Sequence, residues 1–394
     1  MTAEPSTPAT PGPHAPAGPA VVGVVGGGQL VRMMLPEAAR LTVPLRPLVR
    51  DHDEPVARVH PHVVVGGPDD EGLRRLAAAC DVLTVEHELV DLDTLRALED
   101  AGHPVRPSAA TLGIAVDKVR QREVLGAAGV PVPPWSLVTS MDEVEAFAAE
   151  HGWPLVAKAP RGGYDGRGVW FVDGPGQLEE VLTAAPGPLL LEPALAIERE
   201  LAVLVARRPG GQHVVYPTVE TVQVGGICHE VLLPADITPE QDRRAGQLAE
   251  LVADTVGSVG ILAVELFVVD GQVLLNELAA RPHNSGHLTI EASVTSQFEN
   301  HLRAVLDLPL GDPAARVPAA AMVNVLGVGE RDPRARLSSA LAEGCANVHL
   351  YDKAPRDGRK LGHVTATGPD RAVAAEQARR AAAALTGPEQ ETAG

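Results

Sequence analysis

The chain has 394 residues, 45% of them hydrophobic and 21% charged, so it is too apolar for general disorder and long enough for two or three domains. Its 33 basic and 51 acidic residues give a formal net charge of −18, which argues against nucleic acids and anionic membranes as partners. Three cysteines, none in a C-x-x-C pair, argue against a disulfide framework and a cysteine zinc site. They predict a cytoplasmic protein, and no segment has the length of apolar sequence that would predict a membrane span.

Residues 1–20 are rich in proline, alanine and threonine and predict a disordered tail rather than a signal peptide. Residues 21–108 alternate short β-branched runs with helical patterns. This alternation predicts a parallel sheet covered by helices, which is a Rossmann-like α/β domain.

The first strand of this domain ends in a glycine turn, Gly26-Gly27-Gly28, before a predicted helix. A glycine turn that enters a helix offers backbone N–H groups to a phosphate or a carboxylate. The dinucleotide fingerprint G-x-G-x-x-G is incomplete, because Val31 stands at its third glycine. The turn is therefore either an anion seat or a plain tight turn.

Residues 109–311 begin with one predicted helix over 110–129 and continue with strand patterns, among them 213–219, which predict an antiparallel sheet with a few helices. Lys158 leads from a strand into a loop with four glycines and two arginines. Glycine frees backbone amides to surround a polyphosphate, and the lysine adds a point charge. Only four of the 33 basic residues are lysine, which suggests that each lysine is kept where a compact ammonium is needed.

Glu265 and Glu277 flank a predicted hairpin turn at Asp270-Gly271. A two-residue turn would place Glu265 opposite Asn276 and send Glu277 to the other face. A three-residue loop would place the two carboxylates opposite each other, where a cation such as Mg²⁺ would relieve their repulsion.

Two later segments are dense in groups that bind anions. Residues 281–287, RPHNSGH, hold an arginine and two histidines suited to charge stabilisation and proton transfer. Residues 353–363 hold Lys353 and Lys360, which in an acidic chain predict a phosphate site. After residue 311 the sequence predicts a small third domain over 312–386 and a tail over 387–394.

The motifs GGGQL, GGYDGRG, RPHNSGH and GRK-x-GHV, in this order over residues 21 to about 370, closely resemble those of the 5-(carboxyamino)imidazole ribonucleotide synthase family of ATP-grasp ligases. The resemblance implies an N-terminal pre-ATP-grasp domain, a central ATP-grasp domain with a mobile lid at about 131–192, and a small C-terminal domain. It implies ATP-dependent carboxylation of 5-aminoimidazole ribonucleotide with bicarbonate, through carboxyphosphate, in purine synthesis. A homodimer is also expected from the resemblance.

The resemblance also assigns site residues by position. Mg²⁺, or Mn²⁺ in its place, would be held by Glu265 and Glu277, and the reaction would use Arg281, with His283 or Asp165 moving the proton. The residues expected to bind ATP are Lys118, Lys158, Gly163, Tyr164, Asp165, Gly166, Arg167, Gly168, Val169, Glu192, Pro193, Ala194, Leu195, Glu200, Gln223, Asn276 and Glu277. The residues expected to bind the ribonucleotide are Gln29, Leu30, Glu86, Tyr164, Asp165, His283, Asn284, Lys353, Arg359 and Lys360. The chain departs from the family pattern at Val31, His87 and Gln223.

Two other functions fit part of the sequence. Another ATP-grasp ligase, such as the formate-dependent glycinamide ribonucleotide transformylase, would share the glycine loop but not RPHNSGH and GRK-x-GHV. A nucleotide-binding regulator or a dinucleotide-dependent oxidoreductase could be built on the first domain, although the missing third glycine disfavours the oxidoreductase.

Overall fold

The computed structural model describes residues 20–162, 168–185 and 187–387. Within these residues the strands form three sheets, two of four strands and one of nine. None of the helices in the described ranges has both the length and the apolar character needed to cross a membrane.

The first sheet is parallel and has the strand order β3-β2-β1-β4. Strands and helices alternate along this part of the chain, as the hydrophobic pattern predicts. The elements are β1 (Val22–Val25), α1 (Gln29–Arg40), β2 (Leu45–Val49), β3 (Val64–Val65), α2 (Asp70–Ala77), β4 (Val82–Val85) and α3 (Leu92–Asp100).

The single helix predicted over 110–129 is wrong, because the chain forms two helices, α4 (Ala109–Ala115) and α5 (Lys118–Ala127). The break lies at Asp117, whose carboxylate accepts hydrogen bonds from the N–H groups of Val119 and Arg120. An aspartate at this position satisfies donors that a helix start leaves free, so it begins a new helix. The break makes Lys118 the first residue of α5.

The second sheet is antiparallel, with the order β5-β8-β6-β7, and packs two helices against its own apolar core. Lys158 is the last residue of β6, and Glu192 lies in the neighbouring strand β8. The elements are β5 (Ser136–Val138), α6 (Met141–His151), β6 (Leu155–Lys158), β7 (Val169–Val172), α7 (Pro175–Ala184) and β8 (Leu189–Pro193).

The third sheet runs in the order β14-β13-β9-β11-β12-β15-β17-β16, with β10 paired to β9. The strand predicted over 213–219 is two strands, because β10 ends at Val215 and β11 begins at Val219. The elements up to residue 305 are β9 (Arg199–Arg207), β10 (His213–Val215), β11 (Val219–Val224), β12 (Ile227–Leu233), α8 (Pro239–Val256), β13 (Gly260–Val269), β14 (Gln272–Ala279), α9 (Thr289–Ala292) and α10 (Gln297–Val305).

The remaining chain adds three strands to this same sheet, since β12 pairs with β15. A core shared by distant segments joins the end of the sheet to the first domain: Phe298 of α10 and Tyr351 pack with Val24 and Met34. The elements are β15 (Ala319–Leu326), α11 (Leu337–Ala342), β16 (Ala346–Leu350), β17 (Lys360–Gly368) and α12 (Arg371–Thr386).

Candidate functional site

The glycine turn after β1 is closed by a carboxylate of the chain itself. Glu86, just after β4, accepts hydrogen bonds from the N–H groups of Gly28 and Leu30, the latter at 2.9 Å. A Cβ on Gly28 would lie 2.5 Å from the Glu86 carboxylate, so only glycine permits this approach. Burial raises the pKa of Glu86, against the opposing effect of these hydrogen bonds and of Lys353. The Glu86 carboxylate therefore occupies the anion-binding position that the sequence predicts at the turn.

Glu265 of β13 and Glu277 of β14 lie directly opposite each other in the large sheet. The turn between the strands is the two-residue Asp270-Gly271, both with positive φ, and Val269 pairs with Gln272. The register shifts between Glu265 and Leu266, where β14 contains one extra residue, Asn276. The carboxylates are thus opposed by a β-bulge and not by the three-residue loop considered above.

Each carboxylate of this pair has a nitrogen partner. Lys118 Nζ contacts Glu277 Oε2, and His283 Nε2 lies 3.3 Å from Glu265 Oε1. Burial and the charge of Glu277 raise the pKa of Glu265. Burial alone would also raise the pKa of Glu277, but Lys118 and Lys158 bring it below its ordinary value.

The pair offers hard oxygen atoms on one face, which is the donor type that Mg²⁺ prefers. No group of three or more His, Cys, Asp or Glu side chains in the described ranges is arranged to hold a metal ion. A cation at Glu265 and Glu277 would therefore need further ligands, such as phosphate oxygens and water. Burial is the larger cause of the raised pKa of Glu265 and the charge of Glu277 is the second, and a bound cation would offset both effects.

A buried ion cluster lies beside this pair. Glu192 Oε2 lies 2.6 Å from Lys158 Nζ, and Glu192 Oε1 accepts from Arg122 Nε at 2.7 Å. Burial lowers the pKa of Lys158, whereas the two cations lower the pKa of Glu192 in spite of its burial. The sequence prediction missed Arg122, although it stands four residues after Lys118 and so on the same side of α5.

Arg281 is held by a residue that sequence reasoning left without a role. Its Nε donates to Glu88 Oε2 at 2.8 Å, across 193 residues of sequence. Burial would lower the pKa of Arg281, but the charges of Glu88, Glu86 and Glu265 raise it. The sequence feature that could have identified Glu88 is its position two residues after Glu86, just beyond a strand. In extended chain, side chains two residues apart point to the same face.

Residues 351–359 link β16 to β17, and this segment, here called the basic loop, approaches the glycine turn. Lys353 Nζ contacts the side-chain oxygen of Gln29, the first residue of α1. Lys360, the first residue of β17, interacts electrostatically with Glu265. Arg359 donates to the carbonyl oxygen of Ala354 within the loop.

The other predicted residues fall around this set. The side-chain amides of Asn284 and Asn324 exchange two hydrogen bonds, of 3.0 and 2.8 Å. Glu200 lies on β9 and interacts with the charge of Glu265, and burial raises the pKa of Glu200 to about 7. Gln223 stands at a register shift between β11 and β12, opposite Cys228. The remaining members lie at the ends of strands of the second sheet: Gly168, Val169, Pro193, Ala194 and Leu195.

Several predictions lie outside the described residues: the tail over 1–19, residues 388–394, and the loop residues Gly163, Tyr164, Asp165, Gly166 and Arg167. Of the departures from the family pattern, Val31 is fully buried in the core with Met34. His87 is largely buried, which lowers its pKa, and its Nδ1 has no hydrogen-bond partner among the described residues.

Three protein-family models match the chain. A ribonucleotide synthetase preATP-grasp domain matches residues 20–116, an ATP-grasp domain matches 123–298, and a phosphoribosylaminoimidazole carboxylase C-terminal domain matches 320–377. The fold class predicted from the sequence is confirmed.

Curated relatives and solved structures agree with these matches. The N5-carboxyaminoimidazole ribonucleotide synthase of Mycobacterium tuberculosis is 47% identical over 370 residues, covering 91% of this chain and 86% of that protein. The one from Corynebacterium ammoniagenes is 40% identical over 373 residues, covering 91% and 90%. A structure of the Aspergillus clavatus enzyme in complex with ADP and 5-aminoimidazole ribonucleotide is 33% identical with a TM-score of 0.86, covering 93% of this chain and 98% of that one. The chain therefore belongs to the N5-carboxyaminoimidazole ribonucleotide synthase family of ATP-grasp enzymes.

Proposed function

We propose that this protein carboxylates the amine of 5-aminoimidazole ribonucleotide, with bicarbonate as the carbon source and ATP as the energy source. One observation carries the proposal: Glu265 and Glu277 lie opposite each other with Lys118 and His283 against them. Charged groups continue from this pair as one series, toward Lys158 in one direction and toward Lys353 in the other. Such a series can hold a triphosphate at one end and a phosphate monoester at the other, with the reacting groups between them.

ATP is proposed to bind between the second and the third sheet. Lys158 and Lys118 face its phosphates, and the segment 192–195 faces the adenine. The Glu192 carboxylate is bound by Lys158 and Arg122. The backbone groups of this segment, and not that carboxylate, would therefore form hydrogen bonds with the adenine base. Glu200, whose pKa is raised to about 7, would lie by the ribose.

Mg²⁺, with Mn²⁺ as a possible substitute, is the cofactor proposed for Glu265 and Glu277. When bound, it would neutralise phosphate charge as the terminal phosphoryl group is transferred. Lys118 contacts Glu277 and His283 lies 3.3 Å from Glu265, so each carboxylate has a partner of its own before a cation binds.

In the first step a bicarbonate oxygen attacks the γ-phosphorus of ATP. The bond to the β,γ-bridging oxygen breaks, which gives carboxyphosphate and ADP. The chain contributes positioning and charge, since Lys158 and Arg281 place cations where negative charge gathers. Glu88 fixes the Nε edge of Arg281, so the remaining N–H groups of the guanidinium are directed away from Glu88.

In the second step the amine of the ribonucleotide attacks the carboxyl carbon of carboxyphosphate, or carbon dioxide released from it. A C–N bond forms, inorganic phosphate leaves, and the amine loses one proton. His283 is proposed to take that proton or to pass it on, with Asp165 as the alternative. His283 Nδ1 is hydrogen-bonded to Ser285 Oγ at 2.9 Å, which fixes the direction of its ring.

The alternatives fit the structure less well. A dinucleotide-dependent oxidoreductase needs the glycine turn for a pyrophosphate, but Glu86 takes the N–H groups of Gly28 and Leu30. A transformylase would share the ATP site but has no use for RPHNSGH and the basic loop together. The homodimer and the cytoplasmic location stay predictions.

The test is ADP release from ATP, Mg²⁺ and bicarbonate, measured with and without 5-aminoimidazole ribonucleotide. We expect strong stimulation by the ribonucleotide in the natural chain. Arg281→Lys should lose most of it, whereas Arg243→Lys, an exposed arginine of α8, should keep it. Folded protein that binds ATP but shows no ribonucleotide-dependent turnover would contradict the proposal and favour a nucleotide-binding regulator.

A further inference from the structure

Two motif residues without a role in the proposed reaction meet at the base of the basic loop. His287 belongs to RPHNSGH and His363 to GRK-x-GHV, and their ring centroids lie 5.0 Å apart. Both side chains are fully buried. The motifs RPHNSGH and GRK-x-GHV therefore meet at a cluster of buried rings in the interior of the protein.

Tyr351 connects this cluster to the basic loop. Its side chain is 1% exposed and packs in the core shared with Phe298 and Met34. Its hydroxyl group is hydrogen-bonded to His363 Nδ1 at 2.6 Å, and its backbone N–H donates to the Leu361 carbonyl at 2.9 Å. The ring is thus fixed in place by a side-chain and a backbone contact.

The same ring lies beneath a cation of the proposed ribonucleotide site. Lys353 Nζ lies 5.4 Å from the centroid of the Tyr351 ring, a distance typical of a cation–π contact. Lys353 Nζ also contacts the Gln29 side chain. The ammonium group therefore contacts both an aromatic face and an amide oxygen of the first domain.

Further ring contacts hold His363 in place beneath Tyr351. His349 stacks on His363 at 4.4 Å with an angle of 11° between the rings, and its Nε2 lies 2.7 Å from Glu291 Oε1. Burial, with smaller effects of His349 and His287, lowers the pKa of His363 well below its ordinary value. A neutral His363 places no positive charge beneath Lys353.

We propose that Tyr351, held by His363, is a positioning residue that fixes the Lys353 ammonium for the 5′-phosphate of the ribonucleotide substrate. This inference rests on the proposed function, and it assigns a role to a tyrosine that touches no reacting atom. It also gives a role to the buried His287 and His363 of two distant motifs, which pack around the ring that contacts Lys353.

The experiment compares steady-state constants of the natural chain, Tyr351→Phe and Tyr351→Leu. Phenylalanine keeps the aromatic face but loses the hydrogen bond to His363, whereas leucine loses both. A cation–π contact corresponds to about 3- to 30-fold in binding. We expect the KM for the ribonucleotide to rise about 3-fold in Tyr351→Phe and about 10- to 30-fold in Tyr351→Leu, with a much smaller change in the KM for ATP.

Tyr216→Phe is the matched control. Tyr216 is also a buried tyrosine, hydrogen-bonded to Asn300 at 2.8 Å, but it lies in a different core cluster, away from the basic loop. It should keep the KM for the ribonucleotide while losing a similar amount of thermal stability.

An unchanged ribonucleotide KM in both Tyr351 variants would overturn the inference, as would an equal rise in the Tyr216 control. In either case turnover by the natural chain would leave the proposed function intact. Absence of ribonucleotide-dependent turnover in the natural chain would instead overturn the proposed function and this inference together.

Discussion

The carboxylates of Glu265 and Glu277 lie opposite each other, and the extra residue Asn276 in β14 brings them there. Without the bulge, the tight turn at Asp270-Gly271 would pair Glu265 with Asn276. The bulge thus moves one acid across the strand to the face that holds the other. β-Bulges often occur beside functional sites, where they redirect a side chain.

The first prediction concerns this repulsive pair. Glu265→Gln should lower ribonucleotide-dependent ADP release at least about 100-fold, the size of effect seen when one group that stabilises transition-state charge is removed. It should not lower the thermal unfolding temperature of the nucleotide-free protein, because burial and the charge of Glu277 raise the pKa of Glu265 to about 8, so that near pH 7 glutamine replaces a mostly protonated carboxyl group. Enzyme assays and thermal unfolding measure the two effects.

Glu240→Gln, an exposed position on α8, is the control and should change neither quantity. A fall in unfolding temperature for Glu265→Gln would contradict the prediction, since it would mean that the carboxylate has a structural role in the nucleotide-free protein.

Much of the fold could be predicted because its signals are local. The β-branched runs gave β1 and β4 within a residue, and the glycine turn marked the start of α1. The break at Asp117 was missed because an apolar helical pattern runs through it, and only the capping contacts reveal the second helix.

The supporting residues of the site were harder to predict. Arg122 meets Glu192 across 70 residues of sequence, and Arg281 meets Glu88 across 193. Such pairs depend on how two domains dock, which no local pattern encodes. Motif resemblance located the residues assigned to bind substrates but not those that orient them.

The second prediction concerns the cluster of Arg122, Glu192 and Lys158. Arg122 is 2% exposed, and Arg122→Leu would leave the buried Glu192 with one cation instead of two. Removing one partner of a buried ion pair costs about 3–5 kcal/mol. We expect a loss of this order in the free energy of unfolding and a rise of at least about 10-fold in the KM for ATP.

Arg120→Leu, two residues earlier and exposed on the same helix, should change the free energy of unfolding by less than about 0.5 kcal/mol. Equal losses in the two variants, measured by urea denaturation, would show that the buried cluster contributes no more than a surface arginine.

The third prediction concerns the start of α5. Asp117→Ala should lower the free energy of unfolding by about 0.5–2 kcal/mol, because the N–H groups of Val119 and Arg120 lose their acceptor. Asp117→Asn keeps an oxygen at the cap and should lose much less. The Arg161 side chain, which forms a salt bridge to Asp117, is largely exposed, so this pair contributes little to the difference. Equal losses for alanine and asparagine would contradict the capping role.

The last prediction concerns pH and a histidine outside the site. His301 is fully buried; its Nδ1 accepts from the Ile261 N–H at 3.1 Å, and its Nε2 lies 2.9 Å from Thr84 Oγ1. Burial lowers the pKa of His301 to about 3. Between about pH 6.5 and 3 the unfolded chain therefore binds a proton at this residue that the folded chain does not bind. Stability is lost as the pH falls through this range, by at most about 1.4 kcal/mol per pH unit from this residue.

His301→Gln should be less stable at pH 7 yet lose stability more slowly than the natural chain between pH 6 and 4.5. His287 and His363, whose pKa values are also lowered by burial, will keep part of the slope in the variant. His62→Gln, an exposed position, should leave the slope unchanged. Urea denaturation at a series of pH values measures the slopes, and an identical slope for His301→Gln and the natural chain would mean that His301 takes up no proton on unfolding in this range.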